Sequence, residues 1–193
     1  MASDVFARLD EIDRSSGRYS DLVLEAGKLM ESFASGTDEL ISLIDRYGRS
    51  VTPSIANPLA FMVAVRAQRP TQEMAKTVLH FIKGFGCWEH PSTVTNCLTA
   101  VQHCLHYVDA AAEALRYLSP FLRKSLEYNG RHWVIIKGHA LGLLPIIVRR
   151  DLINAIFTPE EFLEVREEIR ELRRTAATEL GPELEDLKGL IEE

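Results

Sequence analysis

The chain has 193 residues, of which 46% are hydrophobic and 26% are charged, and its formal net charge is -6 at pH 7. This balance is typical of one soluble globular domain and gives no sign of broad intrinsic disorder. The acidic total disfavours wholesale nucleic-acid binding, although a local basic patch is compatible with it.

From two features of the sequence we expect no membrane insertion. The longest weakly charged stretches, residues 51–65 and 138–148, are shorter than the roughly 20 apolar residues that a spanning helix needs. The N-terminal sequence MASDVFARLDEID carries acidic residues early and lacks the apolar core of a secretory signal. Three cysteines, an odd number at irregular spacing, indicate reduced thiols rather than a disulfide framework. We therefore predict a cytoplasmic protein.

Residues 1–36 predict a pair of helices. The first covers residues 2–14, with Val5, Leu9 and Ile12 on one face. The second covers residues 19–33 and ends at Ser35–Gly36. Its expected inward-facing residues are Leu22, Leu24, Ala26, Leu29, Met30 and Phe33.

Residues 37–150 contain an internal repeat with a period near forty residues. Three sets of residues of similar size superpose at this spacing: Ala60, Ala100 and Ala140; Ile41, Phe81 and Phe121; Val65, Leu105 and, less well, Pro145. Each repeat is predicted to be a pair of helices, at 38–47 and 58–68, at 71–85 and 92–108, and at 113–127 and 133–150. The recurring alanine suits a place where two helices approach closely.

The third repeat resembles a HEAT repeat. Its two predicted helices carry apolar faces and are joined by a turn at Tyr128, Asn129 and Gly130. The residues that carry the resemblance are Pro120, Trp133, Val134, Lys137, Ala140 and Leu143. Lys137 stands where arginine is usual in that family, and Asn129 stands where aspartate is usual. The second helix is expected to bury Val134, Ile135, Leu141, Leu144 and Ile147.

The resemblance implies an all-α fold, namely a short right-handed α-α superhelix of HEAT-like helical hairpins. It also implies a scaffold that binds other proteins, and a packing role for Trp133 where the second helix begins. We expect one helical-repeat domain over residues 1–193.

Residues 151–193 are predicted to form a charged C-terminal cap. Thr158 and Pro159 suit the N-cap and first position of a helix that runs to about Leu180, where Gly181–Pro182 breaks it. Its apolar seam is Phe162, Val165, Ile169, Leu172 and Ala176. One apolar stripe with a charged outer side is what a terminal repeat needs to close a stack of repeats.

A band of histidines and cysteines raises the possibility of a zinc site. Its members are His80, Cys87, His90, Cys97, His103, Cys104 and His106. Cys87 and His90 have zinc-like spacing, but the others lie at helical positions rather than in a second short ligand loop. Cys97 and Cys104 are seven residues apart and share an apolar face with Val94 and Val101, so we expect core packing and no metal.

A nucleophilic enzyme needs a serine or cysteine beside a histidine with a third orienting group. Cys87 has the best claim, because it lies in the exposed-looking turn GFGCWEHP, but no local signature supports it. Gly84-x-Gly86 lacks both the preceding strand and the following lysine of a phosphate-binding loop. We expect no catalytic residue and no cofactor.

Charge is strongly segregated along the C-terminal half. Residues 116–150 contain seven basic residues and one acid, whereas residues 158–193 contain twelve acids and five basic residues. One interpretation is that the acidic helix lies over the basic repeat and the charges pair. The other is a basic groove that binds a partner, phosphate or nucleic acid. The candidate partner-binding residues are Arg116, Arg123, Lys124, Arg131, Trp133, Lys137, Arg149 and Arg150.

These observations favour a non-enzymatic protein–protein interaction scaffold or adaptor, for example a bacterial immunity-type inhibitor of a basic toxin. The alternative is a nucleic-acid-binding protein, similar to HEAT-like DNA glycosylases, that uses the basic third repeat. A third possibility is a regulator that dimerises through an exposed seam at residues 162–172.

Overall fold

The computed structural model describes residues 2–109 and 113–192, with side chains over 3–109 and 113–190, and this part of the chain is all-α. Its helices are α1 (Ala2–Asp13), α2 (Tyr19–Phe33), α3 (Thr37–Tyr47), α4 (Pro53–Ala67), α5 (Gln72–Gly84), α6 (Pro91–Cys104), α7 (Leu118–Leu126), α8 (Trp133–Arg149), α9 (Ile153–Ile156), α10 (Pro159–Thr175), α11 (Gly181–Glu185) and α12 (Lys188–Glu192). Two 3-10 helical turns, Leu105–Tyr107 and Glu113–Tyr117, flank the gap.

Odd-numbered and even-numbered helices form two layers. The even-numbered helices α2, α4, α6 and α8 pack against one another in chain order. Each of α1, α3, α5 and α7 packs on the even-numbered helix that follows it, and α5 also contacts α3 and α7. The hydrophobic core lies between the two layers.

The two central even-numbered helices are almost uncharged. Helix α6 contains no Asp, Glu, Lys or Arg, and α4 contains only Arg66. A helix that is packed on several sides has little room for charge, because an unpaired charge is costly to bury. The alanines at the forty-residue spacing, Ala60, Ala100 and Ala140, are fully buried. Burial of these small residues agrees with the close approach of helices that the repeat predicts.

Proline placement explains where the predicted helix bounds are wrong. Helix α4 begins with Pro53 at its N-terminus, five residues before the predicted start, so Pro58 lies inside the helix. The first helix of the third repeat is shorter than predicted, because a 3-10 turn precedes α7. Pro120 is therefore in the first turn of α7, where a missing backbone N–H costs little.

The connection between α7 and α8 also differs from the expected Asn/Gly turn. Its left-handed residue is His132, with a φ of 60°, and no described glycine has a positive φ. His132 directly precedes α8, so the left-handed residue lies at the start of the helix rather than at Asn129 or Gly130.

The C-terminal helix α10 begins as predicted. The Thr158 side chain accepts a hydrogen bond from the Glu161 backbone N–H (3.2 Å), and the Glu161 carboxylate accepts one from the Thr158 N–H (2.9 Å). The helix ends at Thr175 rather than near Leu180, and Gly181–Pro182 begins α11 instead of ending α10.

The apolar seam of α10 is docked against the rest of the protein. Val165, Ile169 and Leu172 are buried, and α10 packs on α7 and α11. The hypothesis of dimerisation through an exposed seam is therefore wrong.

Two apolar residues expected to face inward are exposed instead. Leu24 on α2 is 59% exposed and Ile135 on α8 is 51% exposed. Both lie on even-numbered helices, whose sides directed away from the odd-numbered layer are open. The sequence periodicity shows that a helix has an apolar face, but not how far around the helix its neighbours extend.

A polar cluster ties α1 to α3 at the N-terminal end. The Asp10 carboxylate accepts hydrogen bonds from the Tyr47 hydroxyl (2.8 Å) and from Arg46 Nη2 (2.5 Å). The Tyr47 hydroxyl also lies 3.1 Å from the Phe6 carbonyl oxygen. The Arg46 guanidinium and the Tyr47 hydroxyl lower the pKa of Asp10 below its ordinary value.

Replacement of Asp10 by asparagine should lower stability in a pH-dependent manner. The folded-state pKa of Asp10 lies below its unfolded value, about 3.9, so its ionised form stabilises the fold above that pH. This contribution is lost as the pH falls through the folded-state pKa. Thermal unfolding of Asp10→Asn should show a lower midpoint than the wild type at pH 7, and the gap should close as the pH is lowered toward 3. A gap that stays constant over this range would contradict the assignment.

Substitution of Ala100 tests the close approach of the even-numbered helices. Ala100→Leu should reduce the free energy of unfolding by about 1–3 kcal/mol, because the larger side chain has no space in the packed core. Gln102→Leu, at an exposed position on the same helix, is the control and should change stability by less than about 0.5 kcal/mol. Urea denaturation measures both; equal effects would mean that the helices do not approach closely at Ala100.

Candidate functional site

The acidic helix α10 neutralises part of the basic third repeat. Arg123 forms ion pairs with Glu164 and with Glu161, the latter at 3.5 Å. Lys137 Nζ lies 3.4 Å from Glu168 Oε1, and the Lys137 side chain is only 5% exposed. Arg123 and Lys137 therefore follow the first of the two interpretations, in which the acidic helix lies over the basic repeat and the charges pair. Lys137 is not available to a partner, contrary to its place among the candidate binding residues.

Arg150 is also used within the fold. Its guanidinium donates hydrogen bonds to the carbonyl oxygens of Leu105 (2.6 Å) and Val108 (3.2 Å). These two bonds fasten the end of α8 to the 3-10 turn that follows α6. Arg150 thus has a structural role rather than the predicted binding role.

The other predicted site residues do not converge on one surface. Arg116, Lys124 and Arg131 are exposed on or beside α7, whereas Arg149 is exposed at the far end of α8. Arg149 Nε donates to the Pro145 carbonyl oxygen one turn earlier (3.2 Å). Trp133 is half-buried against the core at the start of α8, in line with the packing role implied by the HEAT resemblance.

The pair between Lys137 and Glu168 provides a test of how α10 is docked. Glu168→Gln should reduce the free energy of unfolding by about 1–3 kcal/mol, because it leaves a buried ammonium group without its carboxylate. Lys137→Met should cost less, since it removes the charge and keeps similar volume. Glu171→Gln, on the exposed side of α10, is the control. Equal losses of stability for Glu168→Gln and Lys137→Met would show that the contact between Lys137 and Glu168 does not stabilise the fold through charge.

The cysteines are buried, including the one expected in an exposed turn. Cys87 is only 2% exposed, and its thiol donates to the Val51 carbonyl oxygen (3.4 Å). Burial raises the pKa of the Cys87 thiol, and it also raises the pKa values of Cys97 and Cys104. A catalytic cysteine needs a lowered pKa, so the environment of Cys87 is that of a packing residue.

No three His, Cys, Asp or Glu side chains lie together as a possible metal site within residues 2–109 and 113–192. None of the helices in the same ranges has the length and apolar character needed to cross a membrane.

An acidic groove of about 680 Å³ lies between α7 and α10. Its carboxylates are Glu127, Glu164, Glu167, Glu168 and Glu171. Four of the five are ion-paired with Arg123, Arg170, Lys137 or Arg174. This groove is therefore a network of solvated ion pairs and carries little uncompensated charge.

A different exposed surface lies on the even-numbered layer. We call this surface the α2–α4–α6 face. Leu24, Phe61 and Val65 are 59%, 56% and 45% exposed there. Leu24 and Phe61 border a cleft of about 300 Å³, together with Val23, Gly27, Asn57 and Asn96. Lys28 and Glu31 stand at one edge of the cleft. An apolar centre with a polar edge is the usual anatomy of a protein interface.

A chain of hydrogen bonds crosses the same face. The Tyr19 hydroxyl lies 2.9 Å from His90 Nε2, and Asn57 Nδ2 donates to the Tyr19 hydroxyl oxygen (3.2 Å). Asn96 Nδ2 then donates to Asn57 Oδ1 (3.3 Å). Burial lowers the pKa of His90, which favours its neutral form in this network. The network holds α2, α4 and α6 in a fixed relation beside the cleft.

Sequence reasoning missed this face, although a signal for it exists. Asn57, Phe61 and Val65 are four residues apart and so share one side of α4. The polar residue Asn57, one turn before Phe61, marks this side of α4 as the one directed toward solvent.

Comparisons with models of protein families, with curated proteins and with solved structures were made for the whole chain. None of the three finds a significant match. A function therefore has to be inferred from the chain's own surfaces.

Proposed function

We propose that this protein is a non-enzymatic protein-interaction module that binds its partner through the α2–α4–α6 face. The observation that carries the proposal is the exposure of Leu24 and Phe61 around a preformed cleft, with Val65 exposed one turn after Phe61 on α4. A water-exposed phenylalanine beside two exposed aliphatic residues is unfavourable for an isolated soluble protein and favourable once a partner covers it. Such apolar side chains in a cleft are typical anchors of a protein interface.

The partner that this face fits is a protein with an apolar, weakly charged surface. The cleft is lined largely by uncharged residues, and the neighbouring helix α6 has none of the four charged residue types. A strongly charged partner would lose hydration there without gaining an ion pair. The hydrogen-bonded Tyr19, Asn57 and Asn96 side chains supply polar contacts without a cost in side-chain ordering.

We further propose that the fold is a short HEAT-like α-solenoid with a right-handed superhelical twist. Its support is the forty-residue spacing of Ala60, Ala100 and Ala140 and the alternation of helices between two layers. The docked, charged helix α10 supports a role as the terminal cap. A cytoplasmic location is supported by three buried free cysteines, at positions 87, 97 and 104, which suit a reducing compartment.

The proposal predicts the loss of one specific association. In affinity capture from lysate of the source cells, the wild-type protein should retain a stoichiometric partner. The double variant Leu24→Glu with Phe61→Glu should bind this partner at least about 30-fold more weakly, because loss of an anchor side chain costs roughly 2 kcal/mol or more. Leu163→Glu is the matched control, because Leu163 is similarly exposed but lies on α10.

Binding constants measured with the isolated partner, and circular dichroism of each variant, complete the test. A partner that binds the double variant as tightly as the wild type would place the interface elsewhere. Failure of the wild type to retain any stoichiometric protein would remove the basis of the proposal.

A further inference from the structure

A second, smaller cleft lies on the odd-numbered layer, between α5 and α7. It encloses about 190 Å³, and its apolar walls include the side chains of Phe85, Trp88, Tyr117 and Phe121. Trp88 and Tyr117 are only half-buried, so their rings are reachable from solvent. We call this the α5–α7 cleft. Its size suits one planar ring system rather than a folded protein surface.

Two lysines bracket the α5–α7 cleft from its two helices. Lys83 on α5 places its ammonium group 4.7 Å from the centre of the Tyr117 ring, just before α7. Lys124 on α7 places its ammonium group 4.5 Å from the centre of the Trp88 ring, in the loop after α5. The two contacts are reciprocal, since each helix supplies the cation for the other's aromatic ring.

Within the described residues, no Asp or Glu forms an ion pair with Lys83 or Lys124, whereas Arg123 and Lys137 of the third repeat are both paired. The electron-rich ring faces hold the ammonium groups in the absence of an anion. Two cations therefore stand at one small cleft, although the chain has a net charge of -6.

An adjoining cleft extends the same surface. Lys83 also borders a cleft of about 210 Å³, which is lined by Arg49, His80, Gly84 and Asp45. The one carboxylate there, Asp45, accepts a hydrogen bond from His80 Nε2 (2.6 Å). Arg49 and Lys83 thus stand beside one cleft, and Lys83 and Lys124 beside the next.

We propose that the α5–α7 cleft binds single-stranded nucleic acid, with one base against the Trp88 and Tyr117 rings and the flanking phosphates on Lys83 and Lys124. Aromatic rings interleaved with cations are the common basis of sequence-tolerant single-strand binding, because every base has a flat face that stacks. When phosphate arrives, the flexible lysine side chains move from the ring faces to the phosphate oxygens and leave the rings free to stack.

This site differs from the basic groove considered from sequence. It uses Lys83 and Trp88, which were not among the candidate residues, and it omits Arg123, Lys137 and Arg150, which form contacts within the fold. It also lies on the other helix layer from the α2–α4–α6 face, so strand binding and protein binding can each fail without affecting the other.

Fluorescence gives a direct test, because the chain has only two tryptophans. In a Trp133→Phe background, Trp88 is the sole tryptophan, and titration with a 12-nucleotide single-stranded DNA at low salt should quench its emission. The same titration with fluorescein-labelled DNA, followed by anisotropy, gives the affinity. Lys83→Gln with Lys124→Gln should weaken binding at least tenfold and reduce the salt dependence, log K against log salt, by about 1.4, for two phosphate contacts at roughly 0.7 each.

The matched control is Arg14→Gln with Arg18→Gln, which removes the same charge from exposed positions between α1 and α2 and should leave the affinity within twofold. Circular dichroism of all variants confirms that they are folded. Absence of binding by the wild type at low salt would overturn the proposal, as would equal affinity in the two double variants. Binding without any change in Trp88 emission would place the strand elsewhere. A mononucleotide that binds as tightly as the 12-nucleotide strand would also overturn it, in favour of a nucleotide pocket.

Discussion

Helix α4 is packed from several directions at once, and this constraint organises the rest of the molecule. It contacts α2 and α6 within its own layer and α1, α3 and α5 in the other layer. Its residues Ile55, Leu59, Ala60 and Val63 are fully buried as a result. Charge is therefore excluded from the middle of the even-numbered layer, since burial of an unpaired charge costs far more than a packed apolar side chain contributes. Charged residues are instead frequent on α1, α2, α3 and α10.

Two arginines at the ends of even-numbered helices, Arg66 and Arg150, donate hydrogen bonds to backbone carbonyl groups. Arg66, near the end of α4, donates to the carbonyl oxygens of Ala34 and Gly36, the latter at 2.9 Å. Arg150, directly after α8, binds the carbonyl oxygens of Leu105 and Val108 in the same manner. In both cases the guanidinium satisfies carbonyl groups that follow the preceding even-numbered helix. The residue type alone therefore does not identify a basic residue of this chain as a partner-binding residue.

The helices and their order could be predicted from the sequence, because apolar periodicity and capping residues are local signals. The start of α10 at Thr158 and the burial of Ala60, Ala100 and Ala140 follow from such signals. The exposure of Leu24 and Ile135 and the burial of Lys137 and Cys87 could not be predicted in this way. Each depends on which helix lies next to the residue, and that neighbour is far away in sequence. For the same reason, the reciprocal pairing of Lys83 with Tyr117 and of Lys124 with Trp88 has no local signature.

The near absence of charged residues from α4 and α6 also separates the chemistry of the two surfaces. The open side of the even-numbered layer presents Phe61 and Leu24 around an almost uncharged cleft, which favours a partner that loses little hydration on binding. Lys83 and Lys124 lie on the odd-numbered layer, and at the α5–α7 cleft they meet aromatic rings. A hydrogen bond or an ion pair is worth more beside such a low-polarity wall than in open water. The packing constraint on α4 thus leads to one face suited to apolar contact and another suited to an anionic, aromatic ligand.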